Sequence, residues 1–180
     1  NEFIILENKR LQNIVDNYLI KSDAIIAKVL SDKGSPFLKS IIINKGSKHN
    51  INLGMVVMDG EYLVGKVVEV NYISSRVLLL SDLNSKIPVI IEPNEVFSIL
   101  SGTGKENGVI QYSKKYEDIK SGSIIYTSGD GNLFKGGIPI GKINNNDLSE
   151  EKKVEFFSDF SQLRFVKVFL FTKEENKWQN

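Results

Sequence analysis

The chain reads as a mainly β protein: an N-terminal helix followed by two small β-barrel domains. Three observations predict this. Short β-branched runs follow one another from residue 24 to residue 171 at the roughly 8–12-residue spacing of barrels and sandwiches. Glycine, asparagine and aspartate punctuate them, most densely in Thr127-Ser128-Gly129-Asp130-Gly131-Asn132-Leu133-Phe134-Lys135-Gly136-Gly137-Ile138-Pro139-Ile140-Gly141. No helical pattern of length interrupts the run. With 180 residues, 41% of them hydrophobic, the chain can core two small barrels.

Ahead of the strands, Ile4, Leu11, Ile14, Val15, Tyr18 and Leu19 fall near helical spacing among Glu7, Lys9, Arg10 and Asp16. Leu11, Ile14 and Tyr18 suit an a-d-a seam. Residues 1–22 therefore read as the end of a coiled coil, with homodimerisation placed on Ile4, Leu11, Ile14 and Tyr18. A coiled coil needs about three to four heptads, so the rest of it, and an anchor with it, is expected upstream of Asn1. A short helix packed on its own domain is the alternative.

Strands are predicted at residues 24–30, 38–43, 55–58, 62–70, 76–80, 87–91, 97–100, 108–112, 124–127, 138–143 and 165–171. Glu92-Pro93-Asn94-Glu95 carries turn chemistry near the middle of the set and places the junction there. The first barrel then covers residues 23–93 and the second residues 94–173, with a tail at 174–180. The last strand is free to return to either barrel. Ser149 followed three residues later by Lys152 makes a poor capping box, so residues 149–157 read as one helical turn or a loop. Gly46, Gly54, Gly65, Gly129, Gly137 and Gly141 are assigned to structural turns at barrel corners, because primed turns and bulges need positive φ.

The chemistry-bearing residue types are sparse. With 23 basic residues against 22 acidic, net +1, there is no electrostatic footprint for a polyanion, which argues against nucleic acid. The absence of cysteine excludes disulfides, zinc–thiolate sites and thiol nucleophiles. His49 is the only histidine. His49, Asp82 and Ser128 stand in the chain order of a chymotrypsin-like triad, but Ser128-Gly129-Asp130-Gly131 lacks the serine that follows Gly-Asp in those proteases. No metal or cofactor is indicated. Asp130-Gly131-Asn132 runs into Leu133 and Phe134 rather than further oxygen ligands, and Gly102-Thr103-Gly104 has no P-loop Lys-Ser/Thr. Phe156, Phe157, Phe160 and Leu163 cluster where periodicity is poor and read as a core plug, with a protein-binding patch as the alternative.

Taken in register, Ile43-Asn44-Lys45-Gly46-Ser47, Asn50-Ile51-Asn52-Leu53-Gly54-Met55-Val56-Val57, Leu63-Val64-Gly65-Lys66-Val67-Val68-Glu69-Val70, Ser75-Arg76-Val77-Leu78-Leu79-Leu80-Ser81-Asp82 and Thr127-Ser128-Gly129 through Ile138-Pro139-Ile140-Gly141 resemble the rod shape-determining MreC family. The chain departs from the family pattern at Phe134-Lys135 and Gly122-Ser123, both at turns. The resemblance implies a non-enzymatic, homodimeric scaffold on the periplasmic side of the bacterial inner membrane. It would be membrane-anchored through an N-terminal helix, and its second barrel would be similar to a protease barrel without an active site. The implied partners are the elongation penicillin-binding protein, RodA, MreD and MreB, joined so that lateral peptidoglycan synthesis maintains a rod. Such a scaffold is expected to present strand edges and an apolar groove. The rival functions are a trypsin-like hydrolase using His49 and a peptidoglycan-binding module.

Overall fold

The computed structural model describes residues 2–21, 24–30, 39–111, 113, 119–130, 135–144 and 151–169, with side chains of the helix described as far as Leu11. The helix, α1, runs over Glu2–Lys21. No helix among the described residues is long and apolar enough to cross a membrane. Ile4 is exposed and Leu11 half-buried, while the side chains of Ile14 and Tyr18 lie outside the described residues.

Among the described residues twelve strands follow, and they close into two six-stranded antiparallel barrels. The first contains β1 (Ile25–Leu30), β2 (Ser40–Ile43), β3 (Val56–Asp59), β4 (Tyr62–Val70), β5 (Ser75–Leu79) and β12 (Phe165–Phe169), in the spatial order β1-β12-β3-β4-β5-β2. The second contains β6 (Lys86–Glu92), β7 (Val96–Gly102), β8 (Gly108–Gln111), β9 (Ile124–Thr127), β10 (Pro139–Ile143) and β11 (Lys153–Phe156), ordered β10-β11-β8-β7-β6-β9.

Two expectations are corrected here. The junction does not fall at residues 93 and 94. Strand β6 pairs with β7 and β9, so Glu92-Pro93-Asn94-Glu95 is a hairpin turn inside the second barrel, and the crossing lies between Leu79 and Lys86. Turn residues mark any reversal of the chain; only strand pairing separates a hairpin tip from a domain junction. Residues 153–156, assigned to a helical turn or loop, form strand β11, which pairs with both β10 and β8 around the fully buried Val154. Strand β12 inserts between β1 and β3, with Val168 opposite both Ile25 and Val57, so the last strand belongs to the first barrel.

The two barrels share a core. Along residues 55–58 the side chains alternate between two clusters. Met55 and Val57 join Ile43, Val64, Val77 and Val168 inside the first barrel. Val56 and Met58 point outward and, with Leu63, Leu80 and Phe169, pack against Val89, Ile91, Ile125 and Ile140 of the second. A strand buried on both faces reads as an unbroken apolar run, and Met55-Val56-Val57-Met58 is such a run.

The glycines divide by cause. Gly54, Gly129 and Gly137 have φ of 82°, 82° and 89°, the left-handed backbone of a turn. Gly46, Gly65 and Gly141 do not share that φ; Gly65 and Gly141 lie at register shifts in the β3–β4 and β9–β10 pairings. They sit where backbone crosses backbone: a Cβ on Gly65 would lie 1.9 Å from the Leu78 carbonyl oxygen, and one on Gly141 2.3 Å from that of Glu155.

Candidate partner-binding surface

The segment that follows β11 builds the seam between the barrels. After Val154 turns into the core, Phe156 and Phe160 pack their rings 5.0 Å apart at 34°, and Phe157 meets Tyr62 of the first barrel at 5.1 Å and 39°. Gly108 makes room for this, since a Cβ there would lie 3.2 Å from the Phe156 ring. Phe160 packs against the cores of both barrels and Leu163 against the first. The aromatic cluster is thus a plug between barrels, and its half-exposed edges form one wall of a surface groove.

That groove has a volume of about 520 Å³ and runs between Lys39, Leu79 and Ser81 of the first barrel side and Phe156, Phe157, Phe160 and Asp159 of the second, with Lys105, Glu106 and Glu155 at its margins. Its floor is fastened by Ser158 Oγ, which donates to Asp59 Oδ2 at 2.7 Å. Asp159 accepts from the Ser161 hydroxyl at 2.6 Å and the Ser161 amide at 3.0 Å, and these two bonds hold its carboxyl below the usual carboxylate range. The geometry sets half-exposed aromatic edges beside acidic and basic side chains, and aromatic edges are groups that anchor protein interfaces. Because both barrels are closed, each described strand is paired on both sides, so the described strands offer no free edge for the strand addition anticipated from the sequence.

The residues weighed for hydrolysis are not brought together by hydrogen bonds. His49 ends a 3₁₀ turn in the first barrel, and its Nδ1 accepts from the Gly46 amide at 3.1 Å. Asp82 is buried between the barrels and accepts from the Lys39 and Asn84 amides at 2.8 and 2.7 Å. Ser128 follows β9, and its Oγ accepts from the Asp130 amide at 3.2 Å. Sequence reasoning missed Lys39 as a groove residue, and Asp59 and Tyr62 as the partners that hold Ser158 and Phe157 of its lining, since nothing in their own neighbourhoods marks them. The double burial of β3 was the one available signal, because it implies a second body packed beside Asp59 and Tyr62.

The family model "Rod shape-determining protein MreC, barrel core" matches residues 29–170, which takes in nearly every strand of both barrels. The chain belongs to the MreC family. A cell shape-determining protein MreC of Cereibacter sphaeroides is 33% identical over 140 residues, which is 78% of this chain and 46% of that protein. The chain therefore spans less than half the length of this MreC relative. The crystal structure of MreC from Pseudomonas aeruginosa superposes with a TM-score of 0.74 at 28% identity, covering 83% of this chain and 99% of that one. The MreC chain in a complex between penicillin-binding protein PBP2 and MreC from Helicobacter pylori shares the fold, with a TM-score of 0.61 at 17% identity over 82% of this chain and 98% of that one.

Proposed function

We propose that this chain is a non-enzymatic scaffold of the bacterial elongation machinery, and that it organises lateral peptidoglycan synthesis by holding the elongation penicillin-binding protein in the inter-barrel groove. The observation that carries this reading is the MreC family match across both barrels, whose relatives are cell shape-determining proteins. The complex of a related MreC with PBP2 supports the choice of partner. The groove supplies the means: rings of Phe156, Phe157 and Phe160 held on a body in which Val56, Met58 and Phe169 of the first barrel pack into the core of the second. In this reading α1 pairs with a second copy through Ile4, Leu11, Ile14 and Tyr18. The protein is anchored on the periplasmic face of the inner membrane, where MreD, MreB and RodA complete the assembly.

The test is calorimetric titration of the chain with the soluble part of the elongation penicillin-binding protein from the same organism, beside Phe157→Ala. Saturable binding that weakens in the variant while its melting temperature stays near the parent's supports the reading. Absence of binding by the parent chain overturns it. Sedimentation equilibrium of a form extended upstream of Asn1 checks the dimer.

A further inference from the structure

Asp82 is 1% exposed, and nothing said so far of the groove uses its carboxyl. Burying a carboxyl is costly unless its oxygens are hydrogen-bonded, so what they bind shows what the residue is for. Both bind backbone amides at the crossing from one barrel to the other. Oδ2 accepts from Lys39, which precedes β2 of the first barrel, at 2.8 Å. Oδ1 accepts from Asn84 at 2.7 Å and closes the turn that leads to β6. The Lys39 carbonyl accepts in its turn from the Leu79 amide at 3.0 Å, so both sides of the Lys39 backbone are tied to the end of β5 and the crossing.

The other side of the crossing is fastened to the second barrel. The Ser81 carbonyl accepts from the Gly104 amide at 2.8 Å, and the Ser85 carbonyl from the Gly102 amide at 3.1 Å. Gly102 lies so close that a Cβ there would stand 2.0 Å from the Asp82 carbonyl oxygen. Residues 81–85 are thus stitched to the second barrel by their backbone. Beyond Leu80, whose amide donates to the Val64 carbonyl at 3.1 Å, the Asp82 side chain carries the link back to β2. Lys39, Leu79 and Ser81 line the groove on one side of this stitch, and Lys105 and Glu106, next to Gly104, line it on the other. We propose that Asp82 is the positioning residue of the groove: it sets the angle between the barrels, and with it the spacing of the walls that a partner has to bridge. This rests on the function proposed above for the partner, and adds the residue that shapes the site. Apolar burial is non-directional and tolerates rocking of one barrel on the other, whereas a hydrogen bond fixes both distance and direction. The Ser158–Asp59 bond fastens the floor of the groove and Asp82 fastens its wall, and two directional ties at separate points leave no hinge.

The experiment reads the inter-barrel distance directly. The chain has no cysteine, so spin labels on Ile26→Cys and Phe97→Cys, exposed positions on β1 and β7, report one distance by double electron–electron resonance. In Asp82→Asn the side chain keeps one acceptor oxygen and sets an NH₂ group against the other amide, so one of the two bonds is lost. Melting curves verify that the variants are folded. The parent is expected to give one narrow distance distribution, and Asp82→Asn a wider or displaced one, together with about tenfold weaker binding of the partner's soluble part. Lys39→Ala keeps the backbone donor and is expected to keep the parent's distribution. A folded Asp82→Asn with the parent's distribution overturns the proposal, and so does a widened distribution with the parent's affinity. Should Asp82→Asn fail to fold, Gly104→Ala loosens the crossing from its other side, because its Cβ would press on Leu83 Cγ at 3.0 Å, and it is read in the same way. No binding by the parent chain overturns the function proposed above, while a widened distribution in Asp82→Asn still supports Asp82 as the residue that sets the angle.

Discussion

Ser158 and Asp59 stand 99 residues apart in the chain and share a 2.7 Å hydrogen bond that ties the turn after β11 to the end of β3. Ser158 is buried and Asp59 partly so, and the bond joins one barrel to the other at the floor of the groove. Its removal tests how much the inter-barrel seam depends on polar contacts beside the shared apolar core. Ser158→Ala leaves the carboxylate short of a donor and is expected to cost about 1.5–3 kcal/mol in urea unfolding. A double-mutant cycle with Asp59→Asn should return a coupling of at least about 0.5 kcal/mol; strict additivity would show that the two groups do not hold each other.

Gly65 and Gly54 separate two reasons for glycine. At Gly65 a methyl group collides with the Leu78 carbonyl in the neighbouring strand, which cannot move without breaking the β4–β5 pairing. At Gly54 a methyl group meets nothing within 4 Å and only the φ of 82° opposes it. Gly65→Ala is expected to lose about 3 kcal/mol or more, and Gly54→Ala about 1–2 kcal/mol. Chemical denaturation of the pair decides it: equal losses would mean that close approach plays no part at Gly65.

Phe160 is the residue that both cores touch. Truncation to alanine removes ring contacts from each, and because the side chain is only half-buried the cost should fall near the lower end of the usual range, about 3 kcal/mol. Both barrels should then unfold at lower denaturant in one transition. Loss confined to one barrel, seen as two separated transitions by tryptophan-independent probes such as circular dichroism and amide exchange, would contradict the shared core.

Glu92 should make stability fall with rising pH. Burial pushes its carboxyl above the usual value of 4.5, Glu95 and Glu7 add to this, and Arg10 opposes it. The native chain therefore keeps this proton to higher pH than the unfolded chain does. Stability drops as pH rises from 4.5 through the native pKa, and the full penalty remains above it. Glu92→Gln is expected to melt higher than the parent at pH 7, with the difference shrinking toward zero near about pH 3. A difference that stays constant across that range would exclude the Glu92 carboxyl as its source.

Much of the fold was legible because local pattern and final structure agree. The short apolar run Ile87 to Ile91 reads as a strand and forms the middle of β6, and the spacing of Leu11, Ile14 and Tyr18 records a helix whose backbone runs over Glu2–Lys21. Segment 153–156 was illegible for the opposite reason: one buried valine between Lys153 and Glu155 is too short a pattern to separate a strand from a loop. The groove was half legible. Phe156, Phe157 and Phe160 advertise themselves by type, whereas Lys39 joins the groove, and Tyr62 and Asp59 come to support its lining, only when the barrels meet.

By itself the sequence determined the residue classes: a mainly β chain behind one helix, punctuated by glycine turns, with a register of motifs that carries the family. Periodicity and turn propensity are properties of a few consecutive residues, so they survive in the one-dimensional record. Only the tertiary structure decided that β6 starts the second barrel, that β12 returns across 85 residues to lie beside β3, and that Val56 and Val57 serve different cores. The physical reason is that closure is a choice among distant partners. It is settled by which pairings bury the second faces of strands such as β3, a quantity that no local stretch of sequence contains.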